Sequence, residues 1–327
     1  MKRILTGIKP TGMPHLGNYL SVIKPSINNL NYDEEDCYFF IADYHALTTL
    51  RDAKVLKEYT YEVAATWLAC GLDPERITFY RQSDVPEIFQ LAWMLSCYTP
   101  KGLLNRAHAY KSSVDKNIEN EKDPDHGINA GLFSYPILMA ADILLFKANA
   151  VPVGKDQIQH LEMAKDIAQI FNNHHPKTLT LPEGKLNPNS EVILGLDGRK
   201  MSKSYDNTIP LCCSEKKLHK LVKGIATDSV DRYAPKDPDN STIYHYYKNF
   251  TSPTEAEKFH AALRGGMAWG DAKEELFQVM NTELSPVREQ YEYYMGHKDT
   301  LDNLLADGGL RAKKTAKMNM FLIQEGM

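Results

Sequence analysis

The chain has 327 residues, 43% of them hydrophobic and 24% charged, with a formal net charge of −4. That length allows two ordinary domains and a large core, and the composition is that of a soluble globular protein rather than a disordered or fibrous one. A small negative total speaks against a general nucleic-acid coat, and no apolar run approaches the ~20 residues that would span a bilayer.

The first seven residues carry a basic pair with no long apolar region behind it, which argues against a signal peptide. The five cysteines, Cys37, Cys70, Cys97, Cys212 and Cys213, are odd in number and contain no CxxC pair. Neither a disulfide framework nor a zinc site is expected, and the reading is a reducing cytosol.

Arg3 to Ile8 reads as a short buried strand running into Lys9-Pro10-Thr11-Gly12-Met13-Pro14, which is loop chemistry. A helix is expected from about Leu16 to Asn18 onward, with Tyr19, Leu20, Val22, Ile23 and Ile27 on its apolar side. Strand, glycine-containing loop and helix N-terminus together present free backbone N–H groups to an anion. His15 and Asn18 would add side-chain donors at that end. Cys37 to Ala42 is a continuous apolar run ending in Asp43-Tyr44-His45-Ala46, as in a strand covered on both faces with polar groups at its carboxyl end. A helix from Ala53 to Cys70 stops at Gly71. Ile77 to Tyr80 is the next strand, followed by Arg81-Gln82-Ser83-Asp84, and Pro86 opens another helix. Strands alternating with helices predict a parallel sheet with crossover helices.

Thr99 to Ala109 is expected to be helical, and Lys111 to Gly127 to be a charged mobile loop near the active site. Ser134 before Pro136 marks the expected start of a helix to Phe146. Tyr135, Met139 and Asp142 share one face of it. Asp142 is otherwise surrounded by Ala140, Ala141, Ile143, Leu144 and Leu145. A carboxylate on an apolar face needs a donor partner, either backbone or a ligand. Val151 to Val153 reads as a strand, then Gly154-Lys155-Asp156-Gln157 opens a helix to Ile170, where the Asp-Gln pair taken alone reads as capping. Pro176 to Ser190 is a connector. After Ile209 the pattern turns helical: 215–225 with Lys216, Lys217, His219, Lys220 and Lys223, then 254–263, 272–280, 287–295, and 311–323 with Lys313, Lys314 and Lys317. These basic faces are candidates for contact with a nucleic-acid backbone.

Between connector and helices lies Lys200-Met201-Ser202-Lys203-Ser204, behind the turn residues Gly195, Asp197 and Gly198. Two ammonium groups and two hydroxyls on such a loop suit a polyphosphate whose geometry changes during reaction. The pentapeptide is identical to the KMSKS signature of class I aminoacyl-tRNA synthetases. His15-Leu16-Gly17-Asn18 resembles their HIGH element, in the form used by bacterial tryptophanyl-tRNA synthetases, where asparagine replaces the last histidine. Gly154 to Gln157 is similar to the GxDQ element of the same subfamily.

The resemblance covers nearly the whole chain and implies an α/β fold: a Rossmann-type parallel-sheet catalytic domain with a smaller all-helical domain. The implied boundaries are 1–190 for the catalytic domain, 191–300 for the KMSKS loop and helical tRNA-binding domain, and 301–327 for a C-terminal helix packing back on the first. The implied activity is ATP-dependent activation of L-tryptophan to the adenylate, with release of pyrophosphate, followed by transfer to tRNA(Trp). Its site would contain catalytic His15, Asn18, Lys111, Lys200 and Lys203. ATP would meet Lys9, Thr11, Gly17, Asn18, Gly154, Asp156, Ile193, Lys200, Met201, Ser202, Lys203 and Ser204. Tryptophan would meet Leu5, Gly7, Ala42, His45, Tyr135, Met139, Asp142, Val151, Val153 and Gln157, with Asp142 accepting the indole N–H. Mg2+ would be carried by ATP, with no metal site in the protein. A cytoplasmic homodimer with no membrane contact is implied. Lys9 departs from a common glutamine, and Lys155 from a common acidic residue. The alternatives are a tyrosyl-tRNA synthetase, a nucleotidyltransferase of the same fold that ignores tRNA, and a silent paralogue that only binds.

Overall fold

Five short strands build the centre of the protein. The computed structural model describes residues 1–31, 34–153, 158–176, 178–186 and 192–327. The strands are β1 (Lys2–Ile8), β2 (Glu35–Ile41), β3 (Thr78–Arg81), β4 (Ala150–Val153) and β5 (Glu183–Leu186). They form one parallel sheet in the order β3-β2-β1-β4-β5. Phe39 and Ile41 of β2 point into one core with Trp67 and Phe79, while Tyr38 and Phe40 point into a second with Tyr80 and Phe146. Both faces are therefore covered, which explains the unbroken apolar run. Strand order reverses between β1 and β4, so the carboxyl ends of β1, β2 and β4 open onto the crevice where such sheets bind ligands.

The helix Ala53–Ala69 is capped by the Asp52 side chain on the Lys54 and Val55 amides. Helix Glu87–Tyr98 also matches its expectation. Several others do not. Residues 111–119 are not a loop but part of the helix His108–Glu119, whose residues include none that is buried. A helix with no buried stripe leaves no apolar period to read. The segment before it is helical only over Lys101–Leu104. The helix carrying Asp142 spans Ala130–Leu145; Asn129, not Ser134, caps it by accepting from the Leu132 amide at 2.9 Å. The connector contains β5, and the helix Thr242–Phe250 was not expected.

In the C-terminal half the segments 272–280 and 287–295 are one helix, Trp269–Gly296, running through Pro286. Its buried Met280, Leu284, Val287 and Tyr291 continue one stripe across the proline, so packing overrides the helix-breaking signal. The last helix is Lys298–Glu325, starting well before 311. It lies against β3 at Phe79 through Gly308 and against Asp84, in the turn after β3, through Gly309. A Cβ on Gly308 would sit 1.7 Å from the Phe79 carbonyl oxygen. These glycines provide close approach of helix to strand, not a break. Gly308→Ala is accordingly expected to destabilise the protein by about 1–3 kcal/mol, read as a lower thermal midpoint. Melting like the parent would show that this helix can lift off β3 without loss. No helix among the described residues is long and apolar enough to cross a membrane.

Candidate active site

β1 ends where the chain must turn back over the sheet, and His15 starts the helical segment that does so. Its Nδ1 accepts the Asn18 amide at 3.3 Å, and the Asn18 side-chain oxygen accepts the His15 amide at 3.0 Å. This reciprocal cap fixes Leu16–Asn18, followed by a π-helical turn over Tyr19–Ile23. With Nδ1 accepting, the proton of a neutral His15 sits on Nε2. Burial, with Lys203 nearby, pulls the imidazole down to about 4. Folded His15 therefore binds fewer protons than unfolded chain between about pH 4 and 6.5, and its contribution to stability is lost as pH falls through that window.

The KMSKS segment is packed onto this cradle. Leu194 and Lys200 bridge antiparallel, and Met201 N–H donates to Ile193 O at 2.8 Å. Met201 is 4% exposed, and its sulfur accepts the Gly17 amide at 3.2 Å. Lys203 Nζ donates to the Thr11 carbonyl at 2.8 Å. Burial lowers the Lys203 pKa and the Glu62 carboxylate raises it. Ser202 and Ser204 join hydroxyl to hydroxyl at 2.8 Å. His15 also bridges Pro210, and Leu16 N–H donates to Ile209 O at 2.8 Å. Two stretches almost two hundred residues apart thus form one surface.

Beside it opens a cavity of about 480 Å³. Leu5, Gly7, Ala42, His45, Tyr135, Met139, Asp142 and Val151 line it, together with Lys9 and Asn18. Asp142 is 1% exposed. Its two oxygens accept Gln82 Nε2 at 2.9 Å each, and His45 Nε2 lies 2.9 Å from Oδ2. Burial raises the Asp142 pKa, while His45 and Gln82 lower it. A carboxylate so held has lone-pair capacity left for one more donor from the cavity. The Tyr135 hydroxyl meets His160 Nε2 at 2.7 Å, and burial pushes its pKa up to about 12. Lys9 Nζ donates to Thr48 and Thr49 hydroxyls at 3.1 and 3.2 Å.

Not every expected residue converges. Lys111 is exposed on its helix and does not line the cavity, although Ala109 does. Lys200 is exposed, and no side-chain bond holds it among the described residues. Gly154, Asp156 and Gln157, with the departing Lys155, lie outside the described residues, as does the Val153 side chain. Gln82, His160 and Thr6 went unrecognised in the sequence. Thr6 lines the cavity with a buried hydroxyl that has no partner among the described residues. The one available signal was position: Gln82 follows a strand's carboxyl end, as His45 does.

The family described as tRNA synthetases class I (W and Y) matches residues 1–285. A tryptophan–tRNA ligase from Neisseria meningitidis is 50% identical over 97% of this chain and 94% of that protein. One from Pseudomonas putida is 51% identical over 96% of this chain and 71% of that protein. The crystal structure of tryptophanyl-tRNA synthetase from Campylobacter jejuni complexed with ADP and tryptophan superposes with a TM-score of 0.89 at 42% identity, covering 99% and 98% of the two chains. The chain belongs to the class I tRNA synthetases (W and Y), and within them to the tryptophan–tRNA ligases.

Proposed function

We infer that the cavity beside β1 is where this ligase activates L-tryptophan with ATP before charging tRNA(Trp). The observation that carries this reading is Asp142, a fully buried carboxylate lining the cavity beside Leu5, Ala42, Met139 and Val151 and held by Gln82 and His45. The indole N–H donates to it. Leu5, Gly7, Ala42, Met139 and Val151 pack around the ring, and Tyr135 orients the ammonium group. ATP lies between the His15–Asn18 cradle and the Lys200–Ser204 loop, with Thr11, Gly17 and Ile193 around it.

The carboxylate of tryptophan attacks the α-phosphorus in line, and pyrophosphate leaves. No protein nucleophile is required, so catalysis is positioning and charge stabilisation. Lys200 and Lys203 neutralise the departing pyrophosphate, while Lys111, which lies away from the cavity, is left out of this step. Neutral His15 offers its Nε2 proton. The groups facing the phosphates are cationic or neutral, which suits Mg2+ arriving on the nucleotide and adding charge neutralisation there.

The exposed lysines 216, 217, 220 and 223 of the helix Glu215–Lys223 offer a phosphate-binding face to tRNA. The five cysteines are free thiols, consistent with a cytoplasmic chain. A homodimer is the proposed assembly; Trp93, 73% exposed on helix Glu87–Tyr98, gives apolar surface for it.

ATP–pyrophosphate exchange with tryptophan and tyrosine side by side tests the site. Tryptophan is expected to be preferred by about 100-fold or more, because the tyrosine hydroxyl sits at a different place on its ring than the indole N–H and is not brought to the open lone pair of Asp142. Preference for tyrosine would refute the assignment of this cavity.

A further inference from the structure

The KMSKS loop is held from outside the pentapeptide. Asn207 is 2% exposed. Its side-chain oxygen accepts the Ser202 amide at 2.8 Å. Its Nδ2 donates to the Lys200 carbonyl at 3.1 Å and to Asp197 Oδ1 at 2.7 Å. Its own carbonyl accepts the Leu196 amide at 2.9 Å. Asp197 is tied in turn to Arg199 Nε at 2.7 Å. The side-chain amide therefore grips the backbone on both sides of Met201 and the turn that precedes it.

Neighbouring residues leave the amide no alternative seat. Gly195 has no room for a side chain, since a Cβ there would lie 2.3 Å from Asn207 Cγ. The Tyr246 hydroxyl donates to Leu194 O from the helix Thr242–Phe250. Only the turn Lys203–Tyr205 projects beyond this frame, ending at Asp206 with φ 50°.

We propose that Asn207 is a positioning residue for adenylate formation. It fixes the peptide groups of Lys200 and Ser202, so that the two lysines are presented to the pyrophosphate at a set spacing. It touches no reacting atom. This rests on the reading that Lys200 and Lys203 act on the leaving group, and it adds what keeps them in place. Without the clasp the hairpin samples many geometries, and misplacement of a catalytic group by about 1 Å can cost on the order of 100-fold in rate.

Asn207→Ala is expected to lower kcat of ATP–pyrophosphate exchange by about 100-fold, with KM for tryptophan unchanged and only a small fall in the thermal midpoint from the buried groups left unpaired. Hydrogen exchange at the Ser202 and Leu196 amides should quicken. Asn207→Asp keeps the acceptor for Ser202 but loses both donations and sets a second carboxylate against Asp197, so a kcat loss at least as large with the same unchanged KM is expected; Asn207→Ser, which adds no charge and is too short to hold both peptides, carries the test if the alanine variant does not fold. Full kcat in any of these variants overturns the proposal. So does a loss shared equally with tryptophan binding or thermal stability, which would mark general structural support. Lys203→Ala, run in parallel, separates the two ideas: if it too retains full kcat, the role assigned to the loop lysines fails rather than that of Asn207 alone.

Discussion

Lys203→Ala is expected to cut kcat for adenylate formation by about 100- to 1000-fold, equivalent to about 3–4 kcal/mol, the range for removing one preorganised group aimed at developing charge. Tryptophan binding should change far less. The ammonium rests on the Thr11 carbonyl at 2.8 Å. That contact is a single hydrogen bond to a neutral acceptor, so a phosphate oxygen competes for the ammonium easily. The Thr11 carbonyl also sits in the loop leading to the His15 cradle, so Lys203 needs only a local swing to reach a nucleotide there. The contribution is therefore larger in the transition state than in the ground state, and it belongs in kcat. Pre-steady-state measurement of adenylate formation, with tryptophan affinity measured separately, checks it. A rise in the tryptophan dissociation constant with an unaltered chemical step would contradict the transition-state role.

What could be read from the sequence follows from how local each signal is. β2 was legible because a strand buried on both faces must be apolar throughout, and Cys37 to Ile41 has no polar interruption. The cavity face of Tyr135, Met139 and Asp142 was legible because helical spacing alone places them together. The start of that helix was not: Ser134 and Pro136 imitate a start signal, while the actual cap, Asn129, follows a segment without apolar period. The helix His108–Glu119 was unreadable for the same reason, since none of its residues is buried. Pro286 and the Gly308-Gly309 pair point locally to breaks and are overruled by contacts with residues distant in the chain. Gln82 and Asn207 belong to a third kind. Their roles exist only as hydrogen bonds to Asp142 and to the 194–202 hairpin, and no spacing rule connects position 82 to position 142.

The two glycines that matter most at the site do different things. Gly7 faces Phe40, whose ring would be 2.4 Å from an added Cβ, so its smallness lets β1 and β2 close around the cavity. Gly12 has φ 91° and lies beside Lys203 Nζ and Tyr59, so it makes the turn that brings the loop after β1 against the Lys200–Ser204 segment. Lys9 sits between them as a half-buried ammonium bound only by two threonine hydroxyls among the described residues. Burial lowers its pKa, and a bound carboxylate or phosphate would offset that cost.

Asp142→Ala should weaken tryptophan activation by about 3 kcal/mol or more, since each buried partner left unsatisfied costs about 1–3 kcal/mol. Three donors lose their acceptor at once: the indole N–H, the Gln82 amide and the His45 ring. In kcat/KM for tryptophan this is a loss of about 100-fold or more. The effect on folding has two opposing parts. Burial raises the carboxyl pKa, so keeping Asp142 ionised costs stability at neutral pH, a cost that alanine removes. Alanine also strands the Gln82 amide, which is fully buried. Stability must therefore be measured beside activity, and Asp142→Asn supplies the control, because it retains an oxygen for the indole while removing the charge. If Asn restores much of the tryptophan dependence and Ala does not, hydrogen bonding rather than charge sets the preference. An alanine variant with the parent's tryptophan dependence would take Asp142 out of the binding site, and the apolar slot would then select its substrate by shape alone, which discriminates one ring from another by only about 1–3 kcal/mol.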